Sequence, residues 1–400
     1  MRVAHVITRM IIGGAQENTL YNCMDLVQEY GDEVLLVTGP SLGPEGALLE
    51  QSRAGGVEVR TVNALRRAIH PARDWAAYRE IRRILAEFRP DVVHTHSAKG
   101  GFLGRAAAWN LGIPAVIHTV HGAPFHEYQS APARRLFIQL EKWAGRRCHH
   151  MISVADAMTE RMVRAGVAGP EKFTTIYSGM EVEPFLSCGS DRDAARREMG
   201  LADSDIVLGK IARLFHLKGH EFVVQAARQV VAEDPRCKFL FVGDGVLRQR
   251  LEQSIARAGL TPHFLFVGLV PPTRIPYFLS AMDVLVHTSL REGLARTLPQ
   301  ALLAGKPVIS FDIDGAREVV LPEKTGCLVP PKDVPELARS MLLLAGDAER
   351  RTRYGQYGAA LCAERFRHQE MTRRIRQLYT AVLMRNGRIH ANSDASCQSD

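Results

Sequence analysis

The segment from Glu292 to Glu318 holds the residues best suited to chemistry. It reads EGLARTLPQALLAGKPVISFDIDGARE, with a carboxylate beside Gly293, a short helix and a second glycine-containing loop. Both loops would follow strands of an open α/β sheet, where such sheets bind ligands. A carboxylate accepts hydrogen bonds from neighbouring hydroxyls, as in a sugar, and the N–H groups of Leu294 and Ala295 at the next helix start could serve the same ligand. The segment therefore predicts a site for a sugar and a nucleotide.

Two cations precede this segment in the motif ARLFHLKGH, which follows an apolar run. Arg213 can grip an anion with two hydrogen bonds and Lys218 adds a point charge, so the pair suits a diphosphate. Surface cations are the alternative interpretation. The turn Gly243-Asp244-Gly245 ends the following strand and offers a carboxylate, although a purely structural turn explains it equally well.

The first strand-to-helix turn contains the paired glycines Gly13 and Gly14. Glycines permit close backbone approach and positive φ, and a helix starting near Ala15 would direct its N–H groups at an anion. The Gly-x-Gly-x-x-Gly dinucleotide fingerprint is absent, so a tight structural turn remains open. His121 follows another predicted strand and is expected to face a cleft between domains.

Several histidines raise the question of a metal site. His94 and His96 share one face of a predicted strand, but His118 and His121 do not. No carboxylate or cysteine completes a coordination set, so zinc is disfavoured. The sequence predicts no metal site.

Composition favours a two-domain soluble protein. The chain has 400 residues, 46% hydrophobic and 24% charged, which is too long for one compact core. No apolar run reaches the roughly 20 residues that span a bilayer, and the opening RVAHVI is too short for a signal peptide. Seven cysteines without close pairs indicate reduced thiols. We expect a cytoplasmic location, with peripheral attachment to the inner face of the membrane as an option.

The net charge of +8 is concentrated in two stretches. Residues 60–105 contain ten Lys/Arg and four Asp/Glu, and residues 134–150 contain five Lys/Arg against Glu141. Such stretches suit an anionic membrane surface or are simply solvated helix faces. Aromatic residues are too sparse there for a stacking platform, so nucleic acid is disfavoured as a partner.

Alternating apolar runs and amphipathic stretches predict an α/β fold with two tandem Rossmann-like domains facing across a cleft. Val/Ile runs separated by helices are typical of parallel strands covered on both faces. The pattern restarts after a Gly/Pro/Ser-rich linker, SGMEVEPFLSCGS. The predicted domains are 1–180 and 181–385, followed by a disordered tail at 386–400 with almost no apolar residues.

Together these blocks resemble the retaining GT-B glycosyltransferases of family 4, also called group 1. The resemblance runs from about Val3 to Leu344. It includes the Gly13-Gly14 loop, the Arg213/Lys218 pair, the 243–245 turn and the run from 292 to 326 with AGKPVIS.

The resemblance implies roles for individual residues. Glu292 would hold hydroxyls of the donor sugar, and Arg213 and Lys218 would neutralise the departing diphosphate. Gly14 would approach the phosphate or the transferred sugar, while His121 would sit beside the sugar and help stabilise charge at the reacting carbon. Residues around Phe266 and Val267 would pack on the base. The implied reaction uses a UDP- or GDP-sugar as co-substrate, with no cofactor, no metal and retention of configuration.

The chain departs from the family pattern at Gln300. The resemblance implies an acidic residue there, eight positions after Glu292, that binds ribose hydroxyls. Glutamine keeps an acceptor and two donors but loses the stronger charge-assisted bond. We interpret the change as compatible with activity, with weaker or altered ribose binding.

The leading functional hypothesis is transfer of a hexose to a glycan or lipid-linked acceptor in cell-surface polysaccharide or glycolipid biosynthesis. A sugar phosphorylase or a nucleotide-sugar epimerase of the same fold is the second hypothesis. A non-catalytic sugar-nucleotide-binding subunit is the third. The donor base, the sugar and the linkage do not follow from the sequence.

Overall fold

The computed structural model describes residues 1–40 and 47–387, which form two compact units. The first unit comprises Met1–Met180 and the segment that starts at Arg367. The second unit comprises Glu181–Phe366.

The first unit contains a parallel sheet of seven strands in the order β3-β2-β1-β4-β5-β6-β7. The strands are β1 (Arg2–Arg9), β2 (Glu33–Gly39), β3 (Glu58–Thr61), β4 (Val92–His96), β5 (Ala115–Val120), β6 (His150–Ser153) and β7 (Phe173–Thr175). The helices between them are α1 (Gly14–Gln28), α2 (Ala47–Ala54), α3 (Pro71–Phe88), α4 (Ala98–Asn110), α5 (Ala131–Gly145) and α6 (Asp156–Arg164). The central strands are buried along almost their whole length, as expected for a parallel sheet covered on both faces.

The second unit contains a parallel sheet of six strands in the order β10-β9-β8-β11-β12-β13. The strands are β8 (Ile206–Ile211), β9 (Cys237–Val242), β10 (Phe264–Gly268), β11 (Val284–His287), β12 (Val308–Phe311) and β13 (Gly326–Val329). The helices are α7 (Glu183–Leu186), α8 (Arg192–Glu198), α9 (His220–Glu233), α10 (Arg248–Arg257), α11 (Ile275–Ala281), α12 (Thr297–Leu303), α13 (Val334–Gly346) and α14 (Ala348–Ala363). The predicted α/β fold class with two Rossmann-like units is confirmed.

In both sheets the strand order reverses direction at the first strand of the unit. The order places β1 between β2 and β4, and β8 between β9 and β11. Helices leave opposite faces of the sheet at such a switch point, which opens a crevice at the carboxyl ends of the two strands. The fold itself therefore predicts where each unit binds ligands.

The last helix, α15 (His368–Arg385), belongs to the first unit and packs on α1 and β5. The sequence-based assignment of 181–385 to one domain is therefore wrong for this helix, because chain order says nothing about which sheet a terminal helix covers. Of the predicted tail, 388–400 lie outside the described residues. Asn386 donates a hydrogen bond to the carbonyl oxygen of Pro114 at 2.6 Å, so the ordered chain extends into that range.

A buried polar cluster joins α15 to α1. The carboxylate of Asp25 accepts hydrogen bonds from Nδ1 of His368 at 2.9 Å and from the hydroxyl of Thr372 at 2.7 Å. All three side chains are at most 7% exposed. Buried donors without a partner cost free energy, so this carboxylate specifies how α15 docks.

We expect Asp25→Ala to loosen α15. The substitution leaves two buried donors unsatisfied and should lower the local free energy of opening by about 3 kcal/mol. That change corresponds to hydrogen exchange at the α15 amides that is on the order of 100-fold faster. Glu370→Ala is the control, because its ion pair with Arg373 on the same helix is exposed and should contribute less than about 1 kcal/mol. Equal protection of α15 in both variants would contradict the anchoring role.

Candidate functional site

The switch point of the second unit brings together the segments that follow β8 and β11. The segment after β8 contains Arg213 and Lys218, and the segment after β11 leads to Glu292. The backbone N–H of Leu290 donates to the carbonyl oxygen of Leu217 at 2.8 Å. The two predicted blocks are thus hydrogen-bonded neighbours.

Gly219 makes this approach possible. Its φ is +68°, and a Cβ atom there would lie 1.8 Å from the carbonyl oxygen of Thr288, so only glycine fits. The Thr288 hydroxyl in turn donates to the carbonyl oxygen of Gly219 at 2.7 Å. The turn ends at the first residue of α9, His220, and holds Lys218 beside the end of β11.

Lys218 and Glu292 form an ion pair at the centre of this site. Their side chains are 26% and 21% exposed, so both are partly withdrawn from water while remaining open to a ligand. Nε2 of the buried His287 lies 3.7 Å from the Glu292 carboxylate. Burial alone would raise the pKa of Glu292, but Lys218 and His287 outweigh it and hold that pKa well below its usual range. Glu292 is therefore an anion at neutral pH.

A second loop positions Glu292 through its backbone. The N–H of Glu292 donates to the carboxylate of Asp314 at 2.7 Å, and the N–H of Gly315 donates to the carbonyl oxygen of Gly293 at 3.0 Å. Asp314 has a φ of 44°, which is uncommon outside glycine. The loops that follow β11 and β12 are therefore fastened to each other, and both border the candidate site.

A buried lysine lies beneath these loops. Lys210 is 2% exposed, and its ammonium donates to the Thr288 hydroxyl at 2.8 Å. Burial, reinforced by the positive charge of Lys218, lowers the pKa of Lys210 to about 7. Its charge therefore responds to pH near neutrality and to any anion bound nearby.

Arg213 is exposed and makes no ion pair with any described residue. Its guanidinium lies 5.5 Å from the ring centroid of Phe215. Because Arg213 lacks a carboxylate partner, it is available for an anionic ligand. Arg213 and Lys218 thus differ in their ion pairing, because Lys218 already pairs with Glu292.

The turn at 243–245 lies against the segment that follows β8. A Cβ atom on Gly243, whose φ is +133°, would lie 2.1 Å from the carbonyl oxygen of Ala212. The N–H of Leu214 donates to the carbonyl oxygen of Asp244 at 2.9 Å. Asp244 is exposed, and its carboxylate accepts from the N–H of Gly245 at 2.7 Å. The structure thus gives the turn a structural role and leaves Asp244 accessible.

Apolar side chains surround the ends of β8, β9 and β10. Phe266 is half-buried beneath the guanidinium of Arg248 at 4.5 Å, and Val267 is the extra residue where the register shifts. Three further side chains after these strand ends are strongly exposed, namely Phe215 (42%), Val246 (71%) and Leu269 (62%). Exposed apolar groups at neighbouring strand ends could cover a flat aromatic ligand such as a base.

The predicted placement of Leu294 and Ala295 at a helix start is wrong. Helix α12 begins at Thr297, so both residues lie in the preceding loop. Gln300 lies within α12, is half-buried, and makes no side-chain hydrogen bond to any described residue. Its amide is therefore available for a ligand.

The first unit uses Gly13 and Gly14 differently from the expectation. Gly13 has an extended φ of 167° and Gly14 is the first residue of α1, so neither adopts the left-handed region. The helix does begin there as predicted, and the carbonyl oxygen of Gly13 accepts from the N–H of Glu17 at 3.0 Å. Glu17 puts an acidic residue in the first turn, which weakens the attraction of this helix end for an anion.

His121 follows β5 and is partly exposed, and its Nε2 lies 3.1 Å from Nδ1 of His96. Within the described part of the chain, one group could hold a metal ion, formed by the buried side chains of His5, His94 and His96, whose ligand atoms lie within 4.8 Å of one another. Sequence reasoning found the last two but missed His5, because it lies 89 residues away in the chain and meets them only through the pairing of β1 with β4.

Sequence reasoning also missed Lys210, His287 and Asp314. Lys210 and His287 lie inside strands. Their types gave one signal, because an ionisable side chain in an otherwise apolar strand is seldom buried without a polar partner. Asp314 lies in the segment singled out at the start, and its contact with Glu292 could not be read from spacing.

Two family models match the chain in succession. The model described as glycosyl transferase 4-like domain matches residues 14–179, and the model described as glycosyl transferases group 1 matches residues 191–361. Among curated proteins, the chain is 28% identical over 350 residues to the UDP-Gal:alpha-D-GlcNAc-diphosphoundecaprenol alpha-1,3-galactosyltransferase of Escherichia coli, covering 87% of this chain and 88% of the relative. It is also 28% identical over 250 residues to the 2-deoxystreptamine glucosyltransferase of Streptomyces kanamyceticus, covering 61% and 64%.

Solved structures share the fold. HepE of Anabaena, in complex with UDP and glucose, superposes with a TM-score of 0.81 at 22% identity and covers 95% of this chain and 100% of its own. Sucrose-phosphate synthase of Thermosynechococcus elongatus superposes with a TM-score of 0.80 at 20% identity, covering 96% and 100%. With both family models in the expected order and two parallel sheets that match these neighbours, the chain belongs to the group 1 glycosyltransferases with the GT-B fold.

Proposed function

We propose that the protein is a retaining glycosyltransferase that moves a hexose from a UDP- or GDP-sugar to a glycan or lipid-linked acceptor. The observation that carries the proposal is the Lys218–Glu292 pair at the switch point of the second unit, with Arg213 in the same segment and making no ion pair with any described residue. An anion for sugar hydroxyls thus stands beside a cation for phosphates, and a second cation follows the same strand.

The chemistry follows from where charge develops. Breaking the bond between the anomeric carbon and the diphosphate makes phosphate more negative and gives the sugar oxocarbenium character. Arg213 and Lys218 would stabilise the departing diphosphate, in the way that preorganised charges stabilise a transition state. Because these cations perform the task usually given to a bound metal, the proposed reaction needs no metal ion. Retention would follow from attack on the face that the diphosphate leaves.

The acceptor and pathway are proposed from the relatives. The Escherichia coli relative is named for transfer from UDP-Gal to a sugar on diphosphoundecaprenol. A lipid-linked acceptor in cell-surface polysaccharide or glycolipid biosynthesis agrees with that name. The UDP and UDP-glucose bound by HepE support a uridine donor for this chain as well.

A basic amphipathic surface supports peripheral attachment to a membrane. Leu136 and Trp143 on α5 are 56% and 37% exposed, and seven residues apart they share one helix face. The Arg147 guanidinium lies 3.7 Å from the Trp143 ring centroid, and Arg134 and Arg135 are exposed. Exposed apolar groups and cations on and just after one helix suit an anionic lipid surface. None of the described helices is both long and apolar enough to span a membrane.

The other predicted basic stretch, residues 60–105, is a less complete surface. Arg105 is fully buried and paired with Glu141, and Arg60 is paired with Glu58 and Glu87. These two cations are therefore not available to a lipid headgroup. We centre the membrane proposal on α5.

The donor site is tested by Lys218→Met and Glu292→Gln. Lys218→Met should weaken binding of the matching nucleoside diphosphate about tenfold, because it removes a phosphate contact of about 1.5 kcal/mol. Glu292→Gln should leave that binding equal or tighter, because Lys218 loses its competing anion, while sugar transfer falls on the order of 100-fold. A thermal-shift screen of UDP-, GDP-, ADP- and CDP-sugars identifies the donor, and calorimetry and turnover then compare the variants. Weaker diphosphate binding in Glu292→Gln would contradict the assignment.

The same assay separates the alternatives. A phosphorylase would require inorganic phosphate, and an epimerase would form product without an acceptor. A non-catalytic subunit would bind the nucleotide sugar without turnover. Transfer that survives loss of both Lys218 and Glu292 would refute the site itself.

Donor binding should depend on pH through Lys210. Its pKa of about 7 leaves the amine increasingly neutral above that pH, so the attraction for a diphosphate should fade. We expect the Kd of the nucleotide sugar to rise between pH 6.5 and 8.5 by up to about tenfold. Lys210→Met should weaken binding at pH 6.5 and flatten the profile. Lys306→Met is the control, because Lys306 is a half-buried lysine whose pKa burial lowers to about 8, and its ammonium donates to the carbonyl oxygen of Ser280.

The membrane proposal is tested with vesicles of phosphatidylglycerol and phosphatidylcholine. Reversing three arginines of the α5 surface to glutamate (Arg134, Arg135 and Arg146) should abolish binding to the anionic vesicles, since each cation contributes about 1 kcal/mol near such a surface. Reversing three exposed arginines of the second unit (Arg228, Arg257 and Arg353) changes the net charge equally and should leave binding intact. Leu136→Ser with Trp143→Ser should weaken binding at every salt concentration. Equal loss of vesicle binding in the two triple variants would contradict the proposal that the α5 surface binds the membrane.

A further inference from the structure

Three histidines of the first unit form a continuous chain of hydrogen bonds. Nδ1 of His5 lies 3.0 Å from Nε2 of His96, and Nδ1 of His96 lies 3.1 Å from Nε2 of His121. His5 and His96 are completely buried and their rings stack at 5.3 Å. The chain runs from the interior of the sheet to His121 at the carboxyl end of β5. We refer to these three residues as the histidine relay.

Each buried ring of the relay holds one hydrogen at neutral pH. Burial lowers the pKa of His5 to about 3. Burial, together with the neighbouring histidines, also lowers the pKa of His96 well below its usual value. A neutral imidazole has one donor nitrogen and one acceptor nitrogen. The nitrogen that carries the hydrogen in one ring therefore decides which nitrogen carries it in the next ring.

Only two arrangements of hydrogens make both bonds of the relay. In the first, Nδ1–H of His5 donates to His96, Nδ1–H of His96 donates to His121, and Nε2 of His5 is a bare acceptor. In the second, both bonds run the other way and Nε2 of His5 carries a hydrogen. That nitrogen is buried and has no hydrogen-bond partner among the described residues. A buried donor without an acceptor is rarer in proteins than an under-satisfied acceptor, so the first arrangement is favoured.

We propose that His96, completed by His5, is a positioning residue that holds His121 as the tautomer with its hydrogen on Nδ1. In this state Nε2 of His121 accepts from His96 and the ring is neutral. A hydrogen added at Nε2 would reverse both bonds and leave a buried donor on His5. The relay thus keeps His121 a neutral donor.

A metal ion competes with this assignment, because His5, His94 and His96 are close enough to share one. The two nitrogens of His94 are, however, hydrogen-bonded to the hydroxyls of Tyr379 and Thr119. A cation would have to displace these bonds and the bond between His5 and His96. It would also bring positive charge into a buried group that, among the described residues, consists of histidines alone. Hydrogen bonding accounts for the cluster without this cost.

The part that His121 plays at the donor sugar rests on the proposed function, but its tautomer does not. A neutral His121 adds no positive charge beside the reacting carbon. The tautomer can be measured on the protein without any donor. Failure of the relay and failure of the proposed function are therefore separate results.

The test is nitrogen NMR of the full-length protein labelled with ¹⁵N-histidine, at pH 7.5 and without ligand. Loss of one ring's signals in His121→Asn assigns His121. We expect its Nδ1 to carry the hydrogen, opposite to the preference of a histidine side chain in water, and we expect nitrogen–nitrogen coupling across both bonds of the relay. In His96→Phe, His121 should revert to a mixture dominated by Nε2–H. In His5→Phe, the coupling of the inner bond should disappear.

His150→Phe is the matched control, because His150 is also a buried histidine of this sheet with a pKa lowered by burial, to about 4, and it bonds Thr174 outside the relay. His121 should keep its tautomer in this variant. An Nε2–H tautomer in the unmodified protein, or the absence of coupling across the bond between His96 and His121, overturns the proposal even if the variants fail to fold. So does one equivalent of Zn²⁺ that shifts the signals of His5, His94 and His96 together.

Discussion

The ion pair between Lys218 and Glu292 is the constraint on which the second unit depends. Two partly buried charges are tolerated only when they remain close, because each would lose solvation without gaining a partner. Closeness requires the segments after β8 and β11 to converge, and Gly219 permits this by passing against the Thr288 carbonyl oxygen. Asp314 then fixes the backbone of Glu292 from the loop after β12. The segments that follow β8, β11 and β12 thus all contribute to the position of the Glu292 carboxylate.

The same pair explains why the site can respond to a ligand. Lys218 is satisfied by Glu292 in the structure described here, whereas Arg213 has no acidic partner among the described residues. Under the proposed function, a bound diphosphate would compete with Glu292 for Lys218, whereas Arg213 would have no acidic partner to give up. The ammonium of Lys210 donates to the hydroxyl of Thr288, whose carbonyl oxygen lies against Gly219. An added negative charge raises the pKa of a nearby amine, so an anion bound close to Lys210 would favour its charged form.

Much of the fold, and the meeting of Lys218 with Glu292 at one edge of the second sheet, could be predicted because the signals are local. Apolar runs mark buried parallel strands, and a carboxylate or cation just after such a run lies at the ligand-binding edge of the sheet. The features that were missed depend on contacts between distant segments. The docking of α15 on α1 depends on Asp25, more than 340 residues from His368. His5 joins the other histidines only through strand pairing.

The two units differ in the charge of their polar groups: the second unit has cations after its strands, and the first has neutral buried histidines. This difference suits the proposed chemistry. The second unit gathers cations at a strand edge, as a departing diphosphate requires. The first unit holds its histidines neutral by burial and by hydrogen bonds to one another. A sugar that gains positive charge at its anomeric carbon is stabilised by anions and by acceptor atoms and is repelled by an imidazolium. If His121 has the proposed role beside the sugar, a neutral ring would oppose that positive charge less than a protonated one.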